Sequence, residues 1–171
     1  MGVSDLDAVC RSEAQRVLTC LRANRKFGSL HHSWRELEED SPIRQLSEWR
    51  SNDEAAPSSL LRPLLQIVRS PDFAGPSTYV ALEAAQALVV ALSESPEAVA
   101  REHDLPGVLV EVSGAVCDCI FEETNAQVDE ATAMQMITVL GFCSTSSAGA
   151  DVAAFPAGAR MQAFDKVLAL W

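Results

Sequence analysis

Prolines and small polar residues cut this chain into short apolar segments, and several of the cuts have the chemistry of a helix start. Ser41-Pro42 and Ser95-Pro96 each set a hydroxyl at the N-cap and a ring without an N–H at N1, where a missing donor costs nothing. Pro57, Pro71, Gly75-Pro76 and Pro106 interrupt the rest. Between the cuts, apolar residues recur at helical spacing, and the alternation of a half-buried strand is nearly absent. Such a chain folds as short helices that bury their faces against one another.

The spacing predicts a first helix from Ser4 as N-cap to about Asn24, with Val17, Leu18 and Leu21 on one face. A second starts at Ser41-Pro42 and turns Ile43, Leu46 and Trp49 inward. The third, from about Pro57 to Ser70, is apolar over more than one face and is expected to be central; Pro63 requires it to begin near Arg62 or to bend there. The Ala-, Leu- and Val-rich fourth runs from Ser77 to Ser93, after the Pro71 and Gly75-Pro76 breaks. A short piece follows, from Ser95-Pro96 to Leu105. Pro106 then opens a helix to about Thr124 with Val108, Leu109, Val112, Val116, Cys119 and Ile120 inward. Asp129 caps the next, which carries Met134, Ile137, Val139, Leu140 and Cys143, and a last helix spans about Ala157 to Trp171.

Seven or eight helices with short connections, without sustained heptads or a strict repeat, predict an all-α fold. An armadillo- or HEAT-like stack of helical hairpins is the first expectation, and a compact irregular bundle is the second. At 171 residues and 48% hydrophobic content, one helical domain over 1–171 is the natural size. The final turn, with Val167, Leu168, Leu170 and Trp171, has no cap or polar tail, so the chain reads as a piece of a longer protein.

Charge narrows the function. The net charge is −11, and residues 1–69 balance ten basic against ten acidic groups, whereas 70–171 carry three against fourteen. Nucleic-acid binding rests on clustered Lys and Arg and is not expected; the acidic part also repels anionic membranes, so membrane contact is expected to be indirect. No apolar run spans a bilayer, and Met1 to Cys10 lacks the pattern of a secretion signal. Five cysteines, Cys10, Cys20, Cys117, Cys119 and Cys143, are odd in number and unevenly spread, which points to free thiols in the cytoplasm.

Catalysis has no candidate constellation, and no cofactor or metal is expected. Cys117-Asp118-Cys119 would project its thiols about 200° apart on one helix, without further ligands nearby. His31-His32, with Trp34 and the acidic Glu36 to Asp40, reads as a solvated loop. Phosphate loops, nucleophile elbows and metalloprotease patterns are missing from the sequence.

One stretch says more. Leu61-Arg62-Pro63-Leu64-Leu65-Gln66-Ile67-Val68-Arg69-Ser70-Pro71-Asp72-Phe73-Ala74-Gly75-Pro76-Ser77-Thr78-Tyr79-Val80-Ala81-Leu82 reads as an apolar helix, Arg-Ser-x-Asp, x-x-Gly-Pro, x-Thr, then a long apolar helix. It resembles the N-terminal dimerisation and cyclophilin-binding (DCB) domain of the large Arf guanine-nucleotide exchange factors, and is nearer to the Golgi GNOM and Gea branch than to the trans-Golgi BIG branch. Leu21-Arg22-Ala23-Asn24-Arg25-Lys26-Phe27 resembles the end of that family's first helix, and Met134 to Leu140 with the turn at Ser147 to Gly149 resembles a later helix and turn. The resemblance spans about Val9 to Val152.

It implies an armadillo-like superhelix and a non-catalytic regulatory and dimerisation domain acting in Golgi vesicle trafficking, cytoplasmic and held at the Golgi membrane through the parent protein. The partners implied are a second copy, other domains of the parent exchange factor, and cyclophilin. Arg69, Ser70, Asp72, Gly75, Pro76 and Thr78 carry over as a turn and partner contact, with Gly75 expected to supply either a positive φ or a close backbone approach. Asp72 is a candidate capping carboxylate, and Arg69 a candidate bond to the helix's last carbonyls. Self-association is expected on the outer face of Ser77 to Ser93, at Ala87 and Glu130.

Pro71, Phe73 and Ser77 depart from the motif, and Ala87 stands where the family often has a lysine, so contact there rests on apolar packing. The family's exchange domain with its glutamate finger lies far downstream, and this chain by itself is not expected to be an enzyme. A stand-alone helical scaffold that binds peptides or proteins is the alternative. A small helical enzyme is a third class, for which catalytic residues are lacking.

Overall fold

The computed structural model describes residues 3–24, 37–49, 57–73, 75–94, 105–120, 126–145 and 156–170, and these hold seven α-helices and no strand. They are α1 (Val3–Ala23), α2 (Pro42–Glu48), α3 (Leu61–Arg69), α4 (Gly75–Glu94), α5 (Leu105–Cys117), α6 (Ala126–Thr145) and α7 (Ala157–Leu170). The all-α expectation holds. No helix among the described residues is long and apolar enough to cross a membrane.

Local chemistry sets the boundaries. Pro42 occupies the start of α2 as expected; Ser41 is extended, but its hydroxyl makes no cap bond. Arg44 closes the entry instead, donating to the Leu37 carbonyl at 2.9 Å and to Glu48 Oε1 at 3.1 Å. Trp49 ends α2 half-buried, its indole N–H 3.3 Å from Ser59 Oγ. A 3-10 turn, Pro57–Leu60, leads into α3, so the α-helix begins one residue before Arg62. Pro63 therefore lies in the first turn, where its missing N–H has no intrahelical partner to lose.

Several expected limits shift. Helix α1 begins at Val3, which places Ser4 inside the helix and not at its cap. Helix α4 begins at Gly75, so Gly75-Pro76 is its first turn and not a break before it. Helix α6 begins at Ala126, and Asp129 sits in its first turn, where the helix dipole still favours its charge. Helix α5 stops at Cys117; the periodicity that would turn Ile120 inward ends there, and Ile120 is 64% exposed. The segment expected at Ser95 to Asp104, the end of the first helix past Asn24, His31-His32, and the turn at Ser147 to Gly149 lie outside the described residues.

Helix α4 is the hub. It packs most extensively on α1, then on α6 and α3, and also meets α5. Ala81, Ala84, Ala85 and Ala91 are buried beside Leu82, Leu88, Val89 and Leu92, and four small side chains let neighbouring backbones close in from several directions. Adjacency runs in two rows, α1 to α4 to α6 and α2 to α3 to α5 to α7, with α3 against α4 and α5 against α6 joining them. Helix α3 fills the centre of the second row and buries Leu61, Pro63, Leu64, Leu65, Ile67 and Val68.

Leu82→Ala empties a fully buried site on α4 and is expected to cost about 3 kcal/mol. Gly141→Ala adds a methyl group into open space on α6 and is expected to stabilise by roughly 0.5–1 kcal/mol. Urea unfolding followed by circular dichroism measures both, and a neutral Leu82→Ala would remove α4 from the core.

Candidate functional site

The motif between α3 and α4 is built around Ser70. Its N–H donates to the carbonyls of Gln66 and Ile67, at 3.1 and 3.3 Å, closing α3. Its hydroxyl accepts the Asp72 N–H at 3.2 Å, and its carbonyl accepts the Phe73 N–H at 3.5 Å, folding the chain back. Phe73, one of the departures from the motif, is 5% exposed and anchors the turn in the core.

Gly75 and Pro76 then tie the start of α4 to both neighbours in its row. The Gly75 carbonyl accepts the Thr132 hydroxyl of α6 at 3.1 Å, and Thr132 is fully buried. The Cys20 thiol of α1 donates to the Pro76 carbonyl at 3.7 Å and lies 4.0 Å from Ser77 Oγ. Gly75 is buried as the first residue of α4. Thr78 is buried and Ser70 half-buried, whereas Arg69, Asp72 and Pro76 are exposed. The motif divides accordingly: Ser70 and Gly75 make the bonds that hold the turn, Thr78 is buried, and Arg69, Asp72 and Pro76 lie at the surface.

Ala87 and Glu130 are separated in character. Ala87 is half-buried and lines a groove of about 570 Å³, with Val9, Glu13 and Arg16 of α1, Glu83, Gln86, Val90, Ala91 and Glu94 of α4, and Gln135 of α6. Glu130 is exposed on α6, outside that lining. Within the groove, Arg16 bridges Glu13 at 2.8 Å and Glu83 at 3.2 Å. The Tyr79 hydroxyl donates to Glu83 Oε1 at 2.9 Å, which raises its pKa above the usual phenol value. Gln135 donates to Gln86 at 2.9 Å. Three carboxylates face one guanidinium, and Ala87 adds no positive charge.

The thiols are quiet. Burial pushes Cys10 and Cys119 up to about 11 and Cys143 up to about 12, and it raises Cys20 and Cys117 as well. All five remain protonated near neutrality, so none is an activated nucleophile. Among the described residues, no three His, Cys, Asp or Glu side chains are grouped to hold a metal ion.

Sequence reasoning missed Thr132, Phe73 and the Arg16–Glu83 bridge. Thr132 carried a signal, because it shares the helical spacing of Met136, Val139 and Cys143 on the buried face of α6. A polar residue at such a position needs an internal partner. The bridge joins residues 67 apart in the chain and has no local signal.

The chain matches no protein-family model, no curated protein and no solved structure.

Thr132→Val removes the hydroxyl that holds the start of α4 and is expected to cost about 1 kcal/mol, read as a lower urea midpoint. Cys10, Cys119 and Cys143 are expected to resist a thiol reagent at pH 8 in the native state and to react on unfolding; three or more fast-reacting native thiols would contradict their burial. Because these folded-state pKa values lie above the unfolded value near 9, their stabilising contribution is complete below pH 9 and is lost as pH rises towards 11–12. The melting temperature is expected to fall across that window.

Proposed function

We propose that this chain is a non-catalytic regulatory domain of a large Arf guanine-nucleotide exchange factor of the Golgi GNOM and Gea type, folded as an armadillo- or HEAT-like stack. The observation that carries the reading is the stretch Leu61–Leu82. The residues with the family resemblance form one unit, α3, the Ser70 turn and α4, and that unit is the packing hub. The two rows of helices support a stacked superhelix over an irregular bundle.

The domain acts by binding protein, through the exposed Arg69, Asp72 and Pro76 of the turn and through the groove at Ala87. Glu13, Glu83 and Glu94 make that groove acidic, so it suits a basic helical segment of the parent exchange factor better than a copy of itself. Golgi localisation and cyclophilin binding belong to the same reading and rest on the resemblance alone. The groove equally fits a scaffold or adaptor unrelated to Arf, which is the second reading.

Two measurements separate these. The purified chain is expected to leave nucleotide release from an Arf GTPase unchanged, and robust acceleration at catalytic concentrations would overturn the assignment. The open reading frame is expected to continue into an exchange domain several hundred residues downstream; a stop codon directly after Trp171 would favour the scaffold.

A further inference from the structure

On α4, Glu83, Ala87, Val90 and Glu94 recur at steps of four, three and four residues, so they form one stripe, about 16 Å long, on the side the groove opens. Carboxylates stand at its two ends, with half-buried Ala87 and Val90 between them. Val9 of α1 and Gln135 of α6 complete the walls. The two ends differ. Glu94 is exposed and has no ion pair among the described residues. Glu83 is engaged twice: the Tyr79 hydroxyl holds its Oε1 at 2.9 Å, and Arg16 reaches its Oε2 at 3.2 Å.

Arg16 is the one cation that lines the groove, and it comes from α1 to lie across the Glu83 end, where it also bridges Glu13 at 2.8 Å. Its side chain is 42% exposed, so both bridges face water and each is individually weak. The guanidinium therefore neutralises the two carboxylates that a basic partner would use, but does so through bonds that another cation can replace. Tyr79 keeps Glu83 oriented while Arg16 moves into solvent. The wider field favours the exchange, because residues 70–171 carry three basic groups against fourteen acidic ones and draw a cationic segment towards α4.

We infer that Arg16 is a displaceable gate on this groove: a basic amphipathic helix docks along the Glu83–Glu94 stripe, pairs one cation with Glu94, and sets a second between Glu13 and Glu83 in place of the Arg16 guanidinium. Its apolar side chains lie over Ala87 and Val90. Arg16 is thereby a specificity-determining residue, since only a partner with two cations about three turns apart recovers the bridges that are given up. An acidic helix is repelled at both ends. The inference rests on the groove as the protein-binding surface of the proposed regulatory domain, and not on the Arf assignment.

The probe is an alanine-based helical peptide of about twenty residues carrying Lys, Leu, Leu and Lys at the spacing of the stripe, titrated with the whole chain at low salt and followed by fluorescence anisotropy. Arg16→Ala is expected to tighten its binding at least about threefold with an unchanged circular dichroism spectrum, since the residue is exposed. The gain is expected to vanish when Glu83→Gln accompanies it, and Glu83→Gln with Glu94→Gln to weaken binding at least about fivefold. Equal or weaker binding by Arg16→Ala would overturn the gate and leave the groove as a docking surface. A gain that persists with Glu83→Gln would come from net charge alone and would overturn the gate as well. Binding by neither the wild-type chain nor Arg16→Ala would overturn the gate and the groove reading together, while the reading-frame test of the exchange-factor assignment would stand.

Discussion

Burial of α4 on several sides is the constraint on which the structure depends. A helix surrounded in this way needs apolar residues around most of its circumference and needs them small where backbones approach. Ala81, Ala84, Ala85 and Ala91 meet the second requirement, and Leu82, Leu88, Val89 and Leu92 the first. Helices α1 and α6 take their places in one row because α4 lies between them, and α3 joins the second row to it. Loss of volume in α4 is felt by every helix that touches it.

The turn before α4 converts that packing into a defined orientation. Ser70 closes α3 with its N–H and folds the next residues with its hydroxyl and carbonyl, while Phe73 sinks into the core. Thr132 and Cys20 then hold the first two carbonyls of α4 from opposite neighbours. These bonds are individually modest, but they link α1 and α6 to the first two residues of α4. Arg69, Asp72 and Pro76 are left at the surface of a turn that is held from within, which is the arrangement a recognition site needs.

Two exposed surfaces differ in chemistry. The groove at Ala87 is shallow, lined by small apolar residues and carboxylates, and its one guanidinium is engaged by Glu13 and Glu83. Met161, Phe164 and Leu168 of α7 are exposed and apolar. Like charge disfavours a self-contact at the first.

The sequence by itself determined the all-helical class, the start of α2 at Pro42, the entry of α3 near Pro63 and most of the buried face of each helix, because capping chemistry and helical spacing are local. It also marked the Arg69 to Thr78 turn through the residues that carry the family resemblance. Boundaries that depend on neighbours were not legible. Gly75 and Pro76 look like a break until Thr132 and Cys20 donate to their carbonyls, and Ile120 looks inward until α5 stops at Cys117. Only the tertiary structure decided that Arg16 reaches Glu83, that Ala87 lines a groove apart from Glu130, and that Met161, Phe164 and Leu168 of α7 are exposed. Each of those depends on which helices become neighbours, a matter of packing between residues tens of positions apart that no local pattern encodes.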